Sequence, residues 1–219
     1  DTSSACSDIK RVCPDLTFLC NPNNPTGVML TLPVVKGIAK AAGPGYLLID
    51  EAYAPLADSP WDTIPLLKEG NIILLRSMTK DFGLAGVRLG YMLASPEIIH
   101  RVRSWQYSWS VNAFAQAAGI AALGCTEHVR ASREVIAQGK AFLQEKLPKL
   151  GLQPLQSYAN FLLVRVGEAQ ALRERLLRRG FLVRDCASFG LPHHIRLSVR
   201  GLAECRRLVD ALQEVVGVG

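Results

Sequence analysis

No stretch of the 219 residues holds the roughly 18 to 20 consecutive apolar side chains that a bilayer-spanning helix needs. The most apolar helical stretch, Ala113 to Leu123, is interrupted by Gln116 and Gly119. The start lacks a basic segment followed by an apolar one, reading Asp1-Thr2-Ser3-Ser4 instead. Neither a signal peptide nor a membrane anchor is expected from that pattern. The six cysteines include no C-x-x-C pair and do not cluster with the four histidines. That spacing points away from a zinc site or a disulfide framework and toward free thiols in a reducing compartment. His193-His194 precedes an apolar run and reads as loop rather than ligand, so no metal is expected. Internal repeats and low-complexity segments are missing too. A cytoplasmic protein is the expectation.

The net charge of +6 is not gathered into a basic patch. Arg173, Arg175, Arg178 and Arg179 share one helical segment and read as a solvated face, so nucleic acid is not an expected partner. The excess suits anionic small molecules. With 49% apolar residues, the chain can bury a core as one large domain or two small ones.

What is present is organised around Arg76 to Tyr91. The apolar run Ile72-Ile73-Leu74-Leu75 has the length of a buried strand, and Ser77, Thr79 and Lys80 follow it. Open α/β sheets place their ligands at the carboxyl ends of strands. Desolvation there makes a lysine amine a usable nucleophile or base. Arg88 comes eight residues later, after glycines that let backbone approach a bulky group. A serine before the lysine and an arginine after it suit a phosphate. Two upstream stretches repeat the arrangement. Asn21-Pro22-Asn23-Asn24-Pro25-Thr26-Gly27 follows Leu16 to Cys20, and Asp50-Glu51-Ala52-Tyr53 closes Tyr46 to Ile49. Three apolar strands thus end in polar residues that can face one cavity.

The remaining pattern alternates. Residues 1–15 read as the polar tail of a preceding element. Helical spacing covers Leu30 to Ala42, a loop and short helix 54–70, a strand 89–94 and a helix from Pro96. Two helical segments, 110–123 and 127–147, break near Gly124. Strand 159–166, helix 168–179, strand 181–187, strand 195–199 and helix 202–216 complete a small α/β domain. The expected domains are 1–130 and 131–219. Arg196 stands inside the apolar strand Ile195 to Ser198, where an unpaired charge is costly; a structural carboxylate partner or an anionic ligand both account for it.

N-P-x-N-P-T-G, D-E-A-Y and S-x-x-K followed by Arg88 together resemble the pyridoxal-phosphate (PLP) enzymes of aminotransferase class I/II, fold type I. The resemblance implies an α/β fold: part of a PLP-binding large domain with a mostly parallel sheet, then a small α/β domain. Lys80 matches the lysine that forms the Schiff base with PLP. Asp50 matches the partner of the pyridine nitrogen, Tyr53 and Asn24 the pair on the ring's phenolic oxygen, and Ser77 and Arg88 the phosphate ligands. The Asn24–Pro25 bond is expected to be cis. Arg196 matches the arginine that binds a substrate carboxylate, Arg184 resembles a second substrate arginine of the histidinol-phosphate aminotransferase branch, and Asn160 stands in a related motif. Asn160 also reads as a strand-capping residue.

Trp109-Ser110-Val111-Asn112-Ala113 and Ala115-Gln116-Ala117-Ala118 are similar to the threonine-phosphate decarboxylases of cobalamin biosynthesis, with Ser108 replacing a proline. Val183 to Leu191 and Arg196 to Arg200 carry the same likeness. The expected activity is L-threonine-O-3-phosphate decarboxylation, with histidinol-phosphate or related amino transfer as the alternative. An aminotransferase-like sensor domain of a transcription regulator is the alternative of another class. The implied substrate is a phosphorylated amino acid or amine, and the implied assembly a homodimer. The family's upstream elements, including the glycine turn that holds the PLP phosphate at a helix N-terminus, are not among these residues. The 219 residues are therefore expected to be the C-terminal part of such a protein, and inactive by themselves.

Overall fold

Apolar runs bounded by turn residues become the strands of two four-stranded sheets in the computed structural model, which describes residues 1–217. The first sheet has the order β1 (Leu16–Cys20), β2 (Tyr46–Asp50), β3 (Ile72–Ser77) and β4 (Gly90–Leu93). The first three run parallel and β4 is antiparallel to β3. A parallel pair needs a crossover, and α2 (Leu32–Ala42) supplies it between β1 and β2. Thr31 stands at its N-cap with Pro33 just inside, where a missing N–H costs nothing. Its Val35, Ile38 and Ala39 bury against Leu47, Ile49, Ile72 and Leu74 to form the core.

This sheet belongs to one of two compact units, made of Asp1–Pro22, Leu30–Pro55 and Ser59–Val129. It also holds α1 (Thr2–Val12), α3 (Met78–Asp81), α4 (Pro96–Arg103) and α5 (Ala113–Leu123). α1 replaces the polar tail expected there. Asp1 caps it by accepting from Ser3 N at 3.0 Å, and Cys6 and Ile9, three residues apart on one face, lean on the core.

The second unit comprises Asn23–Met29, Leu56–Asp58 and the chain from Arg130 onward. Its sheet is antiparallel, in the order β5 (Gln153–Pro154), β6 (Phe161–Arg165), β8 (His194–Ser198), β7 (Arg184–Asp185). Most of α6 (Thr126–Lys146) lies in this unit, with α7 (Ala169–Leu177) and α8 (Leu202–Val216). Phe161 to Val164 are all buried, as a central strand requires. The strand expected over 181–187 shrinks to two residues. β7 is an edge strand, and Asp185 Oδ1 accepts from Ala187 N at 2.7 Å, which turns the chain into a short 3₁₀ segment.

Candidate active site

Three parallel strands in adjacent positions bring their carboxyl ends to one edge of the first sheet. Asp50 ends β2, its Oδ1 accepting from Ala52 N at 2.9 Å. Ser77 ends β3 and caps α3. Its Oγ accepts from Thr79 N at 3.3 Å and lies 2.7 Å from Thr79 Oγ1. That single helical turn carries Lys80, whose Nζ is 5.3 Å from the centre of the Tyr53 ring. A cavity of about 470 Å³ lies here, lined by Asp50, Arg76, Ser77, Lys80 and Tyr91 among others. Cofactor sites run roughly 300–1,000 Å³, so the space is adequate.

The donor set fits pyridoxal phosphate. An amine is available to its aldehyde, a carboxylate at a strand end to its pyridine nitrogen, and a hydroxyl to its phosphate. Two features depart from the expectation. Lys80 is exposed rather than desolvated, because the turn of α3 carries it outward from the half-buried carboxyl end of β3. Arg88 is exposed in a left-handed conformation (φ 60°), and its Nη1 donates to Ala85 O at 3.1 Å, within its own loop.

Asn24, Arg196, Arg184 and Asn160 belong to the second unit. Both Asn21–Pro22 and Asn24–Pro25 are cis. Arg196 Nη1 donates to Asn24 Oδ1, and its guanidinium lies 5.1 Å from the Phe161 ring centre. The charge inside the apolar strand is therefore met by an amide and an aromatic face. Arg184 stands directly opposite Arg196 in the β7–β8 register. Like charges at such positions repel unless an anion lies between them. Arg184 is exposed, donates to Ser188 Oγ at 2.9 Å and stacks 5.6 Å from Phe189. Asn160 gives its carbonyl to Val199 N at 2.9 Å, the strand-end role, but its buried Oδ1 has no hydrogen-bond partner among the described residues. That atom is free to accept from a ligand.

Three further charged residues border the site: the pair Glu51 and Arg76, and Asp81. Glu51 is 1% exposed, and its Oε2 accepts from Arg76 Nε at 2.8 Å, while Arg76 Nη2 donates to Thr63 Oγ1 at 3.1 Å. Burial pulls the Arg76 guanidinium pKa down, but the bond and charge of Glu51, with Tyr91, raise it above the ordinary value. The pair joins the ends of β2 and β3 between Asp50 and Ser77. The available signal was a charge flanking each apolar run.

Asp81, next to Lys80, is buried and its Oδ1 has no partner among the described residues. Desolvation raises its carboxyl pKa, against backbone hydrogen bonds and the charges of His128 and Lys80. A carboxyl raised by folding destabilises the native state once it ionises. Stability therefore falls as pH rises through the interval from the ordinary carboxyl range up to the raised value. Asp81→Asn is expected to gain about 1 kcal/mol at pH 7 and little below pH 3, measured by urea unfolding at both. Equal gains at the two pH values would contradict this origin.

The chain matches the family described as aminotransferase class I and II over residues 1–212. It is 40% identical over 207 residues to the histidinol-phosphate aminotransferase of Symbiobacterium thermophilum, a match covering 93% of this chain and 57% of that protein. The structure resembles a Sinorhizobium meliloti histidinol-phosphate aminotransferase in complex with pyridoxal-5'-phosphate, with a TM-score of 0.90, 30% identity, and 99% and 61% of the two chains covered. It also resembles L-threonine-O-3-phosphate decarboxylase from Porphyromonas gingivalis, with a TM-score of 0.79 over 93% and 65% of the chains. At 24% identity that second likeness speaks to fold alone. The chain spans about half the length of the curated relatives it matches.

Proposed function

Since the chain belongs to the aminotransferase class I and II family, we propose that it builds the lysine and substrate-arginine parts of a PLP-dependent aminotransferase acting on histidinol phosphate or a similar phosphorylated amine. The structural observation that carries this reading is Arg184 opposed to Arg196, with Asn24 bonded to Arg196. Two cations facing each other suit substrates that both carry acidic groups, as an amine phosphate and a 2-oxo acid do.

Decarboxylation, favoured by the Trp109 to Ala113 stretch, gives way to amino transfer. Asn112 of that stretch is occupied in local structure: its Oδ1 accepts from Ala115 N at 2.9 Å to cap α5, and its Nδ2 donates to Val87 O at 3.2 Å. The motif is thus accounted for without a role in choosing the bond that breaks. The relatives named as histidinol-phosphate aminotransferases weigh the same way.

Bound pyridoxal phosphate supplies an electron sink for a bond at the amine-bearing carbon of the substrate. Lys80 would hold it through Nζ, Asp50 would keep the pyridine nitrogen protonated, and Tyr53 and Asn24 would bind the phenolic oxygen. Ser77 and Arg88 would bind its phosphate. The Lys80 amine would also be the base that moves the proton at the substrate carbon, and its exposure leaves it reachable. Arg196 and Arg184 orient the acidic groups, and Asn160 Oδ1 accepts from a substrate donor. The same reading assigns the enzyme to the cytoplasm and to homodimers. Exposed Trp105, Tyr107, Trp109 and Phe114 support an assembly that covers them.

The test is made on the full gene product with histidinol phosphate and 2-oxoglutarate and, separately, with threonine phosphate. Amino transfer without carbon dioxide release is expected. Arg196→Gln should lower kcat/KM for amino transfer roughly 10- to 100-fold, the worth of a hydrogen bond to a charged group. Carbon dioxide release from threonine phosphate in place of amino transfer would reject the assignment.

A further inference from the structure

Among its described residues the second unit buries one lysine. Lys140 is 4% exposed, and its Nζ lies 2.7 and 2.8 Å from the two carboxylate oxygens of Asp58 and 3.2 Å from Ser157 O. All three donor positions of the ammonium are used. Its place on α6 is within the buried stripe Ile136, Gly139, Lys140, Leu143, where an apolar residue would be the ordinary choice. A charge kept there costs desolvation that good geometry offsets only in part.

What the charge holds is a set of loops that leads to the site residues. Asp58 N donates to Tyr158 O at 3.1 Å, and Tyr158 N donates to Gly27 O at 2.8 Å. Gly27 N donates in turn to Asn23 O at 2.7 Å, which closes the turn that presents Asn24. Gly27 has φ +73°, and a Cβ there would stand 2.0 Å from Ser157 Oγ, so the loop lies flush on Ser157. A second path leaves the same serine. Ser157 Oγ donates to Phe161 O at 2.6 Å, and the Phe161 ring carries the Arg196 guanidinium. Both paths start at the residues Lys140 grips and end at the bonded pair Asn24 and Arg196.

We propose that Lys140 is a positioning residue: by clamping Asp58 and Ser157 it fixes the Asn23–Val28 turn so that Asn24 meets Arg196. Its role in substrate binding rests on the reading of Arg196 given above. The clamp itself does not.

The experiment compares Lys140→Met with the parent protein by backbone hydrogen exchange and by kinetics. Exchange at Gly27 and Tyr158 should rise at least 10-fold, with Leu162 and Leu197 in the central strands unchanged. KM for the acidic substrate should rise several-fold, by more than kcat falls, and borohydride labelling with PLP should still fall on Lys80, at a higher PLP concentration if Asn24 is displaced. Asp58→Asn, at a half-exposed side chain, should give the same pattern at lower amplitude, and it decides the matter if Lys140→Met does not fold. Unchanged exchange at Gly27 and Tyr158, exchange raised equally through β6 and β8, or an unchanged KM would overturn the proposal. If the parent protein neither labels at Lys80 nor turns over amines, the assigned function fails, and the exchange pattern still decides the clamp.

Discussion

Glu51→Ala is expected to lower the unfolding free energy by roughly 3–5 kcal/mol, the cost of leaving one charge of a buried ion pair without its partner. The Arg76 side chain is 23% exposed and that of Glu51 2%, so water replaces the lost carboxylate only in part. Among the described residues Arg76 would keep Thr63 Oγ1 and the Tyr91 hydroxyl as partners. Glu51→Gln, which retains an acceptor, should cost less. Glu51→Leu with Arg76→Met should recover most of the loss, because replacing both partners by apolar groups removes the unpaired charge. Urea unfolding of the single and double variants measures this, and a cost under 1 kcal/mol for Glu51→Ala would show that the pair does not hold β2 to β3. Because Asp50 and Ser77 end those strands, the folded fraction of Glu51→Ala should also bind PLP more weakly.

Lys80→Ala is expected to abolish amino transfer, by roughly 10⁴-fold or more. The amine is assigned two tasks, attachment of the cofactor and movement of a proton at the substrate carbon, and proton transfer alone is worth about 10²–10⁴-fold. Stability should change little. Lys80 is exposed, its contact with the Tyr53 ring at 5.3 Å is of a kind worth about 0.5–1 kcal/mol at an exposed site, and its charge is the smallest of the influences on Asp81. The signature is thus lost turnover with a retained unfolding midpoint. Partial recovery of turnover on adding a small primary amine would support the proton-transfer task.

The first sheet was legible because strands buried in a parallel sheet read as apolar runs, and Leu47, Ile49, Ile72 and Leu74 leave no other pattern. The polar residues at their carboxyl ends followed from the same rule. α1 was not legible: helix formation there rests on the Asp1 cap and a short stripe, Cys6 and Ile9, within a segment of mostly polar residues. β7 was overread because Phe181-Leu182-Val183 looks like strand, while Leu182 is exposed and pairing begins only at Arg184. Glu51 with Arg76 and Lys140 with Asp58 lie 25 and 82 residues apart, so only folding brings them together. Lys140 did leave a trace, a cation four residues after Ile136 and three before Leu143 on one helical face. The likeness to decarboxylases weighs less than the curated relatives, which are histidinol-phosphate aminotransferases, and Asn112 of that stretch caps α5.

The claim that Lys80 is the attachment point of PLP has one direct measurement. The protein is mixed with PLP, reduced with borohydride, and its intact mass and peptide map are recorded. A single added pyridoxyl group on Lys80, absent from Lys80→Ala, is the predicted result. Labelling spread over Lys36, Lys40, Lys68 and Lys149 without preference for Lys80 would contradict it.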